Sequence, residues 1–375
     1  MLQIESQPFA FDHDLFACIQ CGKCTGGCPM AIKTQLNPRV LIYRLLTAGN
    51  GYDLEKHEEL WDCTTCGTCF TRCPKEVNPM ETVIALRSEF VEKGRVHQNV
   101  KTALESTYRH GNPLTLPRED RGAWAKDLSV KPMSDGAEYL YYVGCSPSYD
   151  PKAQKTSRAL VRILQRAGVD FGILGKEENC CASEVRRLGE LGLFEMMAED
   201  NQETLKSLGV GKMFTTSPHC FNTFSNDYPK NGVEVQHYTQ VLANIVDNEE
   251  LEFTSKLEKT VTYHDPCYLG KQNGIYDEPR AVLKSIPGIK LVEMDRSREK
   301  SLCCEGGGGR MWLEGTNPGE RLAQTRIKEA IETGAEILAT ACPFCLLTLD
   351  EAVKLLNAED KLQVMDIAEL VDQAL

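Results

Sequence analysis

From residue 137 onward, short apolar runs alternate with longer amphipathic stretches. Residues 139–143, 169–174 and 212–216 read as strands, while 152–167 and 193–208 carry apolar side chains at helical spacing. Regular alternation of strand and helix predicts a parallel sheet covered by helices. The same order returns in the last third, with strands 260–263, 290–292 and 336–340 and helices 279–285, 318–333 and 346–356. Each half closes on a strand that runs straight into a helix, VQHYTQVL at 235–242 and VMDIAELV at 364–371. An internal duplication is the economical reading. Before residue 111 the pattern is helical: Pro38 opens a stretch bearing Val40, Leu41, Tyr43, Leu45 and Leu46, and 79–96 forms a second amphipathic stretch. Residues 111–136 hold Pro113, Pro117 and Pro132 without a sustained period, as a connector does. The expected fold is α+β and multidomain, with a helical domain over 1–110, a connector over 111–136 and tandem α/β repeats over 137–250 and 251–375.

The cysteines turn this outline into chemistry. Two runs, Cys18-Cys21-Cys24-Cys28-Pro29 and Cys63-Cys66-Cys69-Cys73-Pro74, repeat the spacing of two-cluster ferredoxins, in which three close cysteines hold three corners of a cubane and the fourth reaches across to the other cluster. Cys18, Cys21, Cys24 and Cys73 are therefore expected to hold one [4Fe–4S] cluster, and Cys63, Cys66, Cys69 and Cys28 the second. With 34 residues between the runs, the module is expected to be of the helical kind, which resembles the iron–sulfur subunits of fumarate and succinate oxidoreductases.

Aligning the two repeats places Cys145 on Cys267, Cys180-Cys181 on Cys303-Cys304, and Pro218-His219-Cys220 on Pro343-Phe344-Cys345. Ser217 then falls opposite Cys342, so the second repeat has five cysteines and the first has four and a serine. Tetrahedral zinc or a cubane is complete with four, so the fifth points to a cluster of another shape or to a cysteine left for chemistry. All 17 cysteines are placed in this way, and none remains for a disulfide. After Cys304 comes Glu305 and then Gly306, Gly307, Gly308 and Gly309, where missing Cβ atoms would let backbone approach an anionic cluster. His264, three residues before Cys267 at a strand's C-terminal end, is a candidate proton donor or hydrogen-bonding partner of the cluster, and Glu305 a candidate proton relay. His219, Lys271 and Arg310 lie beside the sites by sequence; His13, His57, His97, His110 and His237 read as surface or packing residues.

At 375 residues and 42% hydrophobic content the chain can build two or three cored domains. A net charge of −12 with dispersed basic residues argues against nucleic acid and anionic membrane as partners. The longest apolar runs, 40–46 and 139–144, fall far short of a membrane span, and the acidic N-terminus is unlike a signal peptide, so a cytoplasmic location is expected, peripheral to the membrane at most through a partner. The glycine run lacks the Lys-Ser/Thr of a P-loop, and no G-x-G-x-x-G follows a strand, so any flavin or nicotinamide would sit on a partner.

The spacing of Cys267, Cys303, Cys304, Cys342 and Cys345 resembles the cysteine-rich CCG domain of heterodisulfide reductase catalytic subunits. Together with the ferredoxin half, the chain looks like a fusion of the small two-cluster subunit with the cysteine-rich one, as in the membrane-linked heterodisulfide reductases, the glycolate oxidase iron–sulfur subunit and electron-transfer-flavoprotein-linked iron–sulfur oxidoreductases. Beside the two cubanes that the ferredoxin runs predict, the resemblance implies a noncubane [4Fe–4S] cluster in repeat two, while Ser217 leaves repeat one open to a further [4Fe–4S] cubane on Cys145, Cys180, Cys181 and Cys220, a serine-ligated variant, zinc, or nothing. It departs from the family pattern at Glu305, where a glycine follows the cysteine pair, and at Ser217. The function it implies is that of an electron-transfer subunit in an anaerobic redox complex. Its partners would be flavoprotein or other redox subunits and a disulfide, quinone-linked or acyl-CoA-linked couple. The alternative is a catalytic subunit that reduces a disulfide directly, and in either case chemistry is expected at the complete C-terminal site.

Overall fold

The computed structural model describes residues 14–48, 57–317 and 319–375; His13 and the start of the expected helix at Pro318 lie outside them. The N-terminal module is built on helices α1 (Pro38–Ala48), α2 (Pro79–Glu92) and α3 (Gln98–His110). The expected single helix over 79–96 is broken because Gly94 takes a left-handed φ of 67° and the amides of Gly94 and Arg95 turn back onto Val91 and Phe90, a glycine-terminated helix end. The chain then starts again as α3.

Each repeat is a four-stranded, all-parallel sheet. In repeat one β1 (Tyr139–Tyr142), β2 (Phe171–Gly172), β3 (Lys212–Thr215) and β4 (Glu234–His237) lie in the order β2-β1-β3-β4, with helices α4 (Pro151–Arg166), α5 (Leu191–Ser207), α6 (Pro218–Asn222) and α7 (Tyr238–Asp247). In repeat two β5 (Lys259–Tyr263), β6 (Ile289–Val292), β7 (Ile337–Thr340) and β8 (Gln363–Asp366) lie in the order β6-β5-β7-β8, with α8 (Asp277–Ser285), α9 (Leu322–Glu332), α10 (Pro343–Leu355) and α11 (Ile367–Ala374). The two orders are the same pattern, and the aligned cysteines follow equivalent strands: Cys145 and Cys267 come after β1 and β5, the adjacent pairs after β2 and β6, and Cys220 and Cys345 after β3 and β7. Strand β2 is shorter than its apolar run, and residues 131–133 of the connector pair in parallel beside its end: the Met133 amide donates to the Ile173 carbonyl at 2.9 Å and the Ile173 amide to that of Lys131 at 3.1 Å.

Both faces of each sheet are covered, as parallel sheets require. Tyr141 and Phe214 of repeat one join Val261, Tyr263 and Met365 of repeat two in one core between the repeats. On its outer face β1 packs Leu140 and Tyr142 with Cys181 and Cys220, and β7 packs Leu338 with Cys304, Cys342 and Cys345.

The ferredoxin module is docked against the repeats. Leu188 and Leu313 of the repeats enter its core. Arg87 of α2, fully buried, donates to the carbonyls of Leu60, Cys63, Arg187 and Gly308 at 2.8–3.2 Å, tying three segments with one guanidinium. The connector packs as well, with Trp124 in the core between the repeats.

Candidate iron–sulfur centres

In the N-terminal module Cys18, Cys21, Cys24 and Cys73 line one cavity with Arg39 and Lys75, and Cys28, Cys63, Cys66 and Cys69 line another. In each run a left-handed glycine, Gly22 or Gly67, starts the helical turn after the second cysteine, and the fourth cysteine comes back against the other run. Burial pushes the Cys28 thiol up to about 12 and that of Cys63 up to about 11, with neighbouring sulfurs adding to both. Four soft sulfurs that cannot all ionise side by side fit a group that brings positive charge of its own.

The five cysteines of repeat two are all buried. Cys342 stands at the N-cap of α10 and Cys345 in its first turn, where the helix dipole favours anionic sulfur. Cys304 Sγ and Cys345 Sγ are 3.3 Å apart, and the Glu305 amide donates to Cys303 Sγ at 3.3 Å. A ring nitrogen of His264 lies within 4.8 Å of both Cys304 and Cys345. Arg326 Nε donates to His264 Nδ1 at 3.1 Å, which leaves the ring proton on Nε2. Burial, aided by the Arg326 charge, holds this histidine down at about 3. Of the two roles open to it in sequence, the Arg326 hydrogen bond at Nδ1 suits an N–H donor toward sulfur.

Glu305 needs a larger correction. Its carboxylate accepts from Arg310 at 2.6 Å, from the Leu322 amide at 2.8 Å and from Lys33 of the ferredoxin module at 3.2 Å. Burial alone would raise its pKa, but these donors hold it below the ordinary carboxylate range. It is a locked ion-pair hub, without a proton to relay near neutral pH. The glycine run is also put to a different use. Only Gly306 has a cysteine sulfur, Cys304 Sγ, among its nearest neighbours; a Cβ on Gly307 would meet His219 and Thr64, one on Gly308 would lie 2.5 Å from the Cys63 carbonyl, and one on Gly309 would strike Leu188. The run lets the ferredoxin module dock closely.

That docking joins two sites. Cys66 and Cys303 pack in one buried cluster, and the neighbouring Cys303 sulfur together with burial pushes the Cys66 thiol well up. Cys303 Sγ lies 3.5 Å from Thr64 Oγ1, Tyr268 OH lies 2.7 Å from Thr65 Oγ1, and Lys271 Nζ donates to Thr68 Oγ1 and to the Ser301 carbonyl.

Repeat one gathers Cys145, Cys180, Cys181 and Cys220, with Cys181 and Cys220 Sγ 3.2 Å apart. Ser217 Oγ accepts the Cys220 amide at 3.4 Å as the N-cap of α6, and so occupies the place that Cys342 has in α10. These residues open on a cavity of about 380 Å³ whose far wall is Met311, Trp312, Phe344 and Leu347 of repeat two. His219 lines it, with Nδ1 3.0 Å from Glu184 Oε1 and its ring stacked 4.0 Å from Tyr268. Sequence reasoning missed Arg121. It comes from the connector, pairs with Glu178, and brings its Nη2 to 3.6 Å from Cys145 Sγ. Nothing in the local sequence marks that arginine.

A family model described as 4Fe-4S dicluster domain matches residues 14–77, and one described as Cysteine-rich domain matches 139–225 and 261–350. The chain is 34% identical over 395 residues to one of the subunits of the dihydromethanophenazine:CoB--CoM heterodisulfide reductase of Methanosarcina barkeri, with 96% of this chain and 94% of that one covered. The chain belongs to the heterodisulfide reductase-like family of iron–sulfur oxidoreductases. It is also 35% identical over 422 residues to the probable iron-sulfur-binding oxidoreductase FadF of Bacillus subtilis, and 34% identical over 418 residues to the EtfAB:quinone oxidoreductase of Syntrophomonas wolfei. Each match covers 96% of this chain, which spans only 60% and 58% of those two relatives. Like the family models it matches, this heterodisulfide reductase-like chain is a [4Fe–4S] protein. No helix among its described residues is long and apolar enough to cross a membrane.

At the position after the cysteine pair, where the family resemblance leads one to expect glycine, Glu305 and its counterpart Ala182 both hold left-handed backbone, with φ of 66° and 58°. The conformation has been kept without glycine, at a cost of about 1–2 kcal/mol at each site.

Proposed function

We propose that this chain is an electron-relay subunit of an anaerobic redox complex, with electrons passing in series through the Cys18 set, the Cys28 set, the five cysteines of repeat two and the four of repeat one, or in reverse. The reading rests on one junction: Cys66, Cys267 and Cys303 share a single buried cluster with Tyr268 and Leu302, so cysteines of the second ferredoxin site and of repeat two pack in one core. [4Fe–4S] clusters supply one-electron chemistry when bound. The protein's own residues keep that path dry and short: Arg87 and Glu305 lock the modules together, and His264 offers an N–H to the Cys304 and Cys345 sulfurs. In this reading repeat two holds a noncubane cluster on its five cysteines, and repeat one holds a further [4Fe–4S] cluster on four.

The two ends of the series differ in access. Cys21 is exposed and suits exchange with a flavoprotein or other redox subunit, while the cavity of repeat one suits the terminal couple. Direct disulfide reduction at the complete site is disfavoured by the burial of all its cysteines. Relatives named for EtfAB:quinone oxidoreductase and for heterodisulfide reductase are equally similar, which favours a shared relay with partners that differ. A quinone-linked or acyl-CoA-linked partner, peripheral to a membrane, fits this role. The test is anaerobic purification from the native host, with iron counting, a dye-linked redox titration and identification of what copurifies. A brown protein with at least about eight irons that reduces dye and carries a redox partner is expected; a colourless zinc protein would overturn the reading.

A further inference from the structure

Arg121 is 1% exposed and buried in a segment that sequence assigned to a connector. Its Nε and Nη2 grip Glu178 Oε1 at 3.2 and 2.7 Å, Nη1 donates to the Gly111 carbonyl, and Nη2 also reaches the Asn179 carbonyl and the Cys145 sulfur. Glu178 is equally fixed, taking the amides of Val143 and Gly144 at 2.8 Å each. The result is an oriented ion pair whose positive end touches a repeat-one cysteine and whose negative end points back into the β1 loop. A buried charge interacts with its neighbours through a low effective dielectric, so its influence on an adjacent redox group is large.

Repeat two is charged differently at the matching place: Ser301 stands where Glu178 does in the alignment, its carbonyl accepts from Lys271 Nζ at 2.7 Å, and its hydroxyl lies 3.5 Å from Arg326 Nη2. A positive charge stabilises the electron-rich state of a centre and a negative charge destabilises it. We propose that the Arg121–Glu178 pair tunes the reduction potential of the repeat-one centre, Arg121 raising it and Glu178 lowering it. The transferred electron leaves the repeat-two set, which is oxidised, and reduces the repeat-one set; no bond is made or broken and no proton is needed.

The inference rests on the proposed cluster in repeat one, and the experiment separates the two. The full chain is reconstituted anaerobically and titrated potentiometrically under magnetic-resonance detection, and the repeat-one couple is identified as the one lost in Cys220→Ala. Arg121→Gln should lower that couple so that its reduction equilibrium falls about tenfold, or about 59 mV for one electron. Glu178→Gln should raise it, and Arg121→Lys should hold it near the original value. The couples of the Cys18 and Cys28 sets should not move. A merely structural role would shift Arg121→Gln and Glu178→Gln in the same direction or abolish both signals while Arg121→Lys also failed; either result overturns the inference and leaves the relay standing. Absence of any couple assignable to Cys220 in the unmodified chain overturns both.

Discussion

The two cysteine-rich repeats share one topology and one cysteine alignment, yet their sites differ in burial and access. Repeat two has the full five cysteines, all buried, pressed against the second ferredoxin site through Cys303 and Cys66, and surrounded by fixed charges at Glu305, Arg310 and Arg326. Repeat one has four cysteines, a serine N-cap, an arginine borrowed from the connector, and an apolar cavity. Completeness of a ligand set and access to it have separated. The site richest in ligands, where sequence reasoning would put the terminal chemistry, is the interior one.

The sharpest way to break this comparison is to remove one site at a time. Cys304→Ala should abolish electron delivery beyond the ferredoxin centres, lose about four irons and leave the repeat-one centre unreduced by dithionite-loaded ferredoxin sites; Cys220→Ala should abolish delivery to the terminal couple while repeat two stays reducible. Rapid reduction of repeat one in the Cys304→Ala protein would mean that the sites do not work in series. Cys73→Ser should damage the centre of Cys18, Cys21 and Cys24 before that of Cys63, Cys66 and Cys69, because the chain folds Cys73 into the first cavity; magnetic resonance of the reduced protein distinguishes the two.

Smaller effects sharpen the contrast. Ser217→Cys gives the outer site its fifth sulfur while costing about 1 kcal/mol of helix capping, and an altered spectrum at an unchanged or higher iron count is expected. An identical spectrum would show that position 217 does not address the metal. The last comparison is between His237 and Asp366, which occupy equivalent strand ends in the two repeats. Burial pushes His237 down to about 3 and Asp366 up to about 8, so both are neutral at pH 7. Asp366 donates stability that is complete below about pH 4 and is lost as the pH rises toward 8, at up to about 1.4 kcal/mol per pH unit; His237 acts in the opposite sense, costing stability as the pH falls below about 6.5. Thermal melts from pH 5 to 8.5 should therefore show a decline in the wild type that Asp366→Asn, which keeps an acceptor for the Tyr238 hydroxyl bond of 2.6 Å, flattens. A parallel decline in that variant would refute the assignment to Asp366.

Local sequence determined a great deal here, because metal-binding cysteines and parallel α/β repeats are written in short-range spacing. The two ferredoxin runs, the duplication, the alignment of Ser217 with Cys342 and the order of strands and helices all follow from residues within a few turns of one another. Tertiary structure alone decided what depends on distant segments meeting. Glu305 looks like a proton relay until Lys33, 272 residues away, and Arg310 are found on its carboxylate. The glycine run looks like a cluster cradle until the carbonyl of Cys63 is found where a Cβ would be. Arg121, in an aperiodic proline-containing stretch, carries no local mark at all and gains its meaning only from Cys145 and Glu178. Periodicity and spacing record what a segment does with its own neighbours; the placement of a buried charge beside a sulfur is settled by packing between modules, which no local pattern encodes.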